Sequence, residues 1–376
     1  MINVTFQKVH DSLGGQNEGL ESGCCMSSEH TVVAAFHEGI GSGKTAIYLS
    51  PNDGLTWAKS AEITGNVEQG SHRITNLKGN ILILAVHEVN DDVVYVHRST
   101  NAGVTWSTVA SYPGPNQVGV APLAASGGCG FHTSKAVLVG RFQTAAQGGE
   151  VEFLQSLDQG ETWDMGPAIY PNDVHPKPRV IANGGAGNFC IGMAELEVWV
   201  SNDYCEEFQA AQILPKPAGF FSGEVTAFAW MDENVVLCAG GGNSSGQKDW
   251  PYLYRSTDRG DHWTHIDAAD IASWPPHENT RVIWEVHRIT KDMAIFFCDV
   301  GSQGDASGLA QSRVSIDGGL TWPIVPTGLN FPAPSGARSF GGCVTSLRGN
   351  LLVTAFTVDV FGAHNQIWRG TVTRTI

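Results

Sequence analysis

The sequence predicts an all-β protein, a single seven-bladed β-propeller spanning residues 1–376, with six blades as the fallback. Three observations carry that expectation. An eight-residue turn motif recurs along the chain, the 45 glycines and 17 prolines are spread rather than clustered, and alternating apolar stretches flank each copy of the motif. No long amphipathic helical run competes with them.

The motif reads SPNDGLTW at 50–57, STNAGVTW at 99–106, SLDQGETW at 156–163, STDRGDHW at 256–263 and SIDGGLTW at 315–322, with a decayed copy, SNDYCEEF, at 201–208. Successive serines lie 45 to 59 residues apart. A repeat of roughly 40–50 residues with four strands per unit is the spacing of a propeller blade. Alternating segments such as KTAIYL at 44–49 and DVVYVH at 92–97 run into the octets, so each octet reads as the hairpin turn between the third and fourth strands of a blade. Serine and acidic side chains can bond the free amides of such a turn, its glycine supplies positive φ, and its tryptophan can bury beneath it. Asp53, Trp57, Trp106, Asp158, Trp163, Asp258, Trp263, Asp317 and Trp322 are accordingly expected to be structural.

With that register, six blades end near residues 64, 110, 170, 214, 268 and 326. The remainder supplies three strands and no octet. Its missing fourth strand is expected to be residues 2–9, which would close the ring against the C-terminus and leave no open sheet edge.

The pattern S-x-D-x-G-x-T-W resembles the Asp box, and the chain is similar over nearly its whole length to the sialidase-like superfamily of Asp-box (BNR repeat) β-propellers. That resemblance implies that the boxes lie on the side away from the functional site. The search for chemistry therefore moves to the opposite face, where the second-to-third-strand and blade-to-blade connections converge.

On that face the sequence places four arginines at the starts of first strands: Arg73, Arg179, Arg281 and Arg338. Arg141 ends a second strand on the same side. Lys and Arg number only 22 against 37 Asp and Glu, a net charge of −15, so converging guanidinium groups would form a local anion site suited to carboxylate or sulfate. The alternative is that each pairs with a nearby acid as a bridge between blades. His72 and His87, on adjacent strands, are expected to share a face and could move protons near neutral pH. Glu224, at another first-strand start, is a candidate base or orienting group.

The acidic balance repels nucleic acid and anionic membrane surfaces at long range. No stretch reaches the roughly 18 apolar residues of a membrane span, and no signal peptide is visible. A soluble protein, cytoplasmic or virion-associated, is expected. The eight cysteines show no zinc-type spacing and read as buried free thiols. No cofactor or metal ligand set is expected, membrane insertion is not, and nothing in the sequence fixes an oligomeric state.

Three functions follow. By the resemblance, an exo-sialidase needs three arginines, a Tyr–Glu nucleophile pair and an Asp acid. Two departures disfavour it: there is no FRIP-like segment near the N-terminus, and no tyrosine follows Tyr254. A uronate polysaccharide lyase would use His, Tyr and Arg, and a non-catalytic propeller would serve as a virion or phage adhesin or a protein-interaction scaffold. Recognition of a glycan, anionic or neutral, at the arginine-bearing face ranks first.

Overall fold

In the computed structural model of the chain, the residues described are 2–13, 23–28, 30–38, 44–64, 69–88, 93–113, 123–126, 137–142, 151–166, 168–170, 178–185, 187–193, 195–215, 223–243, 249–266, 283–298, 311–323, 338–347, 351–359 and 363–374. Among them there is no helix, and every regular element is a strand.

The N-terminal strand β1 (Ile2–Leu13) is set aside for the moment. Next, β2 (Gly23–Met26), β3 (Val32–Glu38), β4 (Lys44–Ser50) and β5 (Ala58–Thr64) form a four-stranded sheet in chain order. So do β6 (Gln69–Lys78), β7 (Ile81–Glu88), β8 (Val93–Ser99) and β9 (Ser107–Pro113). Two further quartets follow: β10 (Leu123–Ser126), β11 (Val137–Phe142), β12 (Val151–Ser156) and β13 (Asp164–Met165), then β14 (Pro178–Gly185), β15 (Asn188–Met193), β16 (Glu197–Ser201) and β17 (Gln209–Ile213). These two are fused into one eight-stranded sheet. Another quartet consists of β18 (Glu224–Trp230), β19 (Val236–Asn243), β20 (Asp249–Ser256) and β21 (Thr264–His265), followed by the three-stranded β22 (Ile283–Thr290), β23 (Met293–Cys298) and β24 (Gln311–Ser315). Finally β25 (Arg338–Ser346), β26 (Leu351–Asp359) and β27 (Ala363–Arg374) accept β1 as their fourth strand.

The expectation of seven separate blades, or six, is therefore corrected. Five blade-sized sheets stand alone, and the material expected to make two more forms a continuous sheet. The fusion has a local cause: β10 and β14 run parallel, with Ala125 opposite Ile181 and Ser126 opposite Ala182. Small side chains on both strands let two first strands approach to hydrogen-bonding distance.

Elsewhere the first strands lie side by side without pairing. β2 neighbours β6, β6 neighbours β10, β14 neighbours β18, β18 neighbours β22, and β25 lies against both β22 and β2. Apolar clusters fill the spaces between consecutive sheets. Val33 and Ile47 meet Ile74, Leu82 and Leu84 in one, and Ala229 and Leu237 meet Ile283, Val286 and Phe296 in another. Val4 and Val372 meet Ile295, Phe297 and Val314 in a third. β1 pairs antiparallel with β27 from Ile2 opposite Arg374 to Leu13 opposite His364, past a register shift between Lys8 and His10. The N-terminal strand thus pairs with the C-terminal strand as expected and runs four residues longer.

All six octets fold as the same turn. In the third, Ser156 Oγ donates to Asp158 Oδ1 at 2.8 Å and accepts from the Gly160 N–H at 2.8 Å, while Asp158 accepts from the amide and hydroxyl of Thr162. The fourth and fifth positions take positive φ in every copy, even Tyr204 (62°) and Cys205 (66°) of the decayed one. Two expectations change. The side chain that holds the first octet is not that of Asp53 but of its neighbour Asn52, whose amide oxygen accepts from the Ser50 hydroxyl and the Thr56 N–H at 3.0 Å each. Asp53 sits one position on, at φ 57°, with its carboxylate 3.0 Å from His30 Nδ1. The tryptophans also bury less than expected. Trp322 is 2% exposed, whereas Trp57, Trp106, Trp163 and Trp263 are half-buried.

The octets also join neighbours. The residue before the octet serine, or its equivalent on β27, reaches the fourth-position carbonyl of the next octet. Arg98 Nε donates to Gln159 O at 3.0 Å, Arg255 Nε to Gly318 O at 2.9 Å, and Arg369 Nε to Asp53 O at 2.8 Å. Gln155 Nε2 does the same to Tyr204 O at 3.3 Å. Octet glycines press on strands of the preceding sheet. A Cβ on Gly103 would lie 2.9 Å from Val33, and one on Gly54 2.7 Å from Val353.

Candidate functional site

Four-stranded up-and-down sheets sort their connections by end. The first-to-second and third-to-fourth turns, with the octets, share one face. The starts of the first strands and the ends of the second strands share the other. At that second face, Arg179 is the second residue of β14, at a register shift between Pro178 and Val180. Glu224 opens β18, opposite Gly241, and Arg338 opens β25, opposite Asp359. β14 and β18 are neighbours, and β22 separates β18 from β25. All three residues thus stand at the starts of first strands.

Glu224 is half-buried and engaged with its surroundings. Its position depends on the glycine run of β19: a Cβ on Gly240 would overlap the Glu224 carbonyl. Only glycine there allows the two strands to approach this closely. The adjacent Val225 is fully buried, so the start of β18 is anchored.

The remaining arginines divide. Arg73 lies deeper along β6, opposite Ala85, and is half-buried with its own interactions. Arg141 is the cross-strand partner of Glu152. Arg338 likewise faces an acid, Asp359, in the register. Both acids lie on the next strand of the same sheet. Arg281 lies outside the described residues.

The two histidines stand near the same end of adjacent strands, His72 on β6 and His87 on β7. A register shift between Gln69 and His72 makes Val86 the partner of His72, while His87 pairs with Val94 on β8.

One polar group was missed. His287, on the first strand β22, is 4% exposed, and burial, aided by Arg288, lowers its pKa to about 3. It alternates with the half-buried Glu285, so both occupy one face of the strand. The signal was present in the sequence as IWEVHRIT, where Glu285 and His287 stand two apart with Val286 between them. Four cysteines, Cys25, Cys190, Cys205 and Cys238, are buried free thiols. Burial pushes the Cys190, Cys205 and Cys238 thiols up, which leaves them protonated and unreactive.

No protein-family model matches the chain, and no curated protein matches it. Solved structures do. An ulvan lyase of polysaccharide lyase family PL25, bound to -[GlcA(1-4)Rha3S]-, superposes with a TM-score of 0.56 at 9% identity, covering 93% of this chain and 91% of that one. YCF48 from Cyanidioschyzon merolae gives 0.55 at 12% identity, covering 97% and 98%. The chain is a β-propeller. The GH74 xyloglucanase from Xanthomonas campestris gives 0.50 at 14% identity, covering 92% of this propeller and 72% of that chain. At such identities the likeness is one of fold. No helix among the described residues is long and apolar enough to cross a membrane.

Proposed function

We propose that this propeller recognises a glycan carrying carboxylate or sulfate at the face opposite the octet turns. The observation that carries the reading is the position of Arg179, Glu224 and Arg338 at the starts of first strands on that face. Guanidinium forks bind planar or tetrahedral oxyanions through paired hydrogen bonds, and a carboxylate beside them can accept from sugar hydroxyls. The fold likeness to a lyase bound to a sulfated, uronate-containing sugar is consistent with such a ligand. In a chain of net charge −15, a few local cations have to outweigh a repulsive background.

The same reading takes the octets as Asp boxes of this propeller, each following the third strand of its sheet or quartet.

Titration calorimetry tests the reading with ulvan as ligand and xyloglucan as the neutral comparison. Ulvan is expected to bind in a salt-dependent manner, and Arg179→Ala and Arg338→Ala are each expected to weaken it about tenfold. Binding that ignores both substitutions removes the proposal. The second reading is a uronate lyase, and the chain shares the fold of the PL25 ulvan lyase. An absorbance rise from unsaturated uronate during incubation with ulvan would decide for it.

A further inference from the structure

The face opposite the octets holds a strained turn, and its strain has a packing reason. Among the described residues, left-handed backbone at residues other than glycine falls inside the octets with two exceptions, Glu195 (φ 59°) and Leu196 (φ 60°). They join β15 to β16 on the face that carries Arg179 and Glu224. A two-residue hairpin turn with positive φ at both positions favours Asn and Gly, and leucine persists there only where its surroundings fix it. Leu196 is 1% exposed. Its carbonyl accepts from the Leu214 N–H at 2.9 Å, just past β17, while its side chain belongs to the apolar cluster that holds Val225 and Phe228 of the next sheet.

That contact is close. A Cβ on Gly223, the residue before Glu224, would lie 2.8 Å from Leu196 Cγ and 3.0 and 3.2 Å from its two methyl carbons, and these are the three nearest atoms it would meet. Gly223 is not among the left-handed glycines, so the approach of Leu196, rather than φ, requires it. A Cβ on Gly192 would overlap Val225 and lie 2.9 Å from Val180 Cγ1. The valines that follow Glu224 and Arg179 thus meet over one bare strand position. With the overlap at Gly240, the backbone on both sides of Glu224 is confined, and a side chain on such a backbone meets a ligand without first being ordered.

We propose that Leu196 is a positioning residue of the glycan site: by filling the space against Gly223 it fixes the start of β18, and with it Glu224, relative to Arg179. This assignment rests on the glycan reading. The test joins calorimetric titration with ulvan to hydrogen exchange of residues 224–230 read by mass spectrometry. Leu196→Ala removes the three contacting atoms and is expected to weaken ulvan binding about tenfold and to speed exchange at the start of β18. Gly223→Ala should do the same by overlap. Combining the two should bring both readouts back toward wild type, because the added methyl enters the vacated space. Glu224→Gln should also weaken binding, and adding Leu196→Ala to it should cost no further affinity, which a general loss of stability would not produce. Gly160→Ala, on the octet face, should lower the melting temperature and leave ulvan affinity as it was. Wild-type binding that Leu196→Ala leaves unchanged overturns the proposal alone, as do independent losses from Leu196→Ala and Glu224→Gln. An equal loss of affinity in Gly160→Ala assigns the effect to stability and overturns it too. A wild-type protein that does not bind ulvan removes the glycan reading, and this assignment with it.

Discussion

At the residue scale, the octet shows how one turn can be both locally satisfied and tied to its neighbour. Gly160 has φ 81°, and a Cβ there would overlap Ile83 of the preceding sheet. Gly318 has φ 72° but open space around it, with Arg255 Nη2 nearest at 3.9 Å. Gly160→Ala should therefore cost about 2–4 kcal/mol in urea unfolding, from backbone strain and overlap together, and Gly318→Ala about 1–2 kcal/mol, from backbone strain alone. Equal costs would show that the contact with Ile83 relaxes freely. The acids of the octets respond to pH. Asp158 has its pKa lowered to about 2 by the Thr162 hydroxyl and amide, with Ser156 and the Glu161 amide adding to this. Its depressed folded value means its stabilisation is present above the ordinary carboxylate pKa and is lost as pH falls from about 4 toward 2. Asp158→Asn should flatten that part of the acid-unfolding curve, because Asn52 and Asn101 already hold their turns with a neutral amide. The sequence made these turns legible because the serine, the acid or amide and the glycine that shape each one lie within eight residues. It misassigned Asp53 because Asn52 and Asp53 stand side by side and only the turn geometry selects between them.

At the element scale, strands were easier to read than the way they align. Every octet follows a strand, as alternation required, and β1 joined β27 as the strand count required. Two things escaped. The register shift at the start of β6 makes Val86 the partner of His72, and the parallel contact of β10 with β14 merges two quartets. Both arise from backbone pairings between residues far from any local pattern, which composition and periodicity do not encode. β1 offers the element-level test. Removing residues 1–13 strips β27 of one of its two partners, leaving it an edge strand, and takes Val4 out of the cluster with Ile295, Phe297 and Val372. The truncated chain should melt at a lower temperature and aggregate as concentration rises, since an unpaired long edge invites other strands. Adding a peptide of residues 1–13 in excess should reverse both effects. Unchanged melting at two concentrations would mean that the strand is dispensable.

At the scale of the whole molecule, buried histidines couple the fold to pH. His97 is 8% exposed beside Thr108 Oγ1 at 3.2 Å, and burial lowers its pKa to about 4; His287 falls to about 3. Histidines with depressed folded pKa values stabilise the native state fully above about 6.5, and that contribution is lost as pH falls toward those lower values. The propeller should therefore begin to lose stability below about pH 6.5, before its carboxylates titrate. His97→Gln should lessen the slope between pH 6.5 and 4 in thermal melts, and an unaltered slope would assign that loss to other groups. The placement of Arg179, Glu224 and Arg338 at one end was likewise legible, because it follows from strand order alone. Whether they act together depends on the segments joining the strands, which no repeat constrains. The clasp between neighbours also has a temporal meaning. Three octets receive their arginine or glutamine from strands made just before them, but Asp53 receives Arg369, and Gly54 packs on Val353. During synthesis, the turn at 50–57 thus finds its partner only after some three hundred further residues have left the ribosome, and until Arg369 arrives that carbonyl stays unclasped.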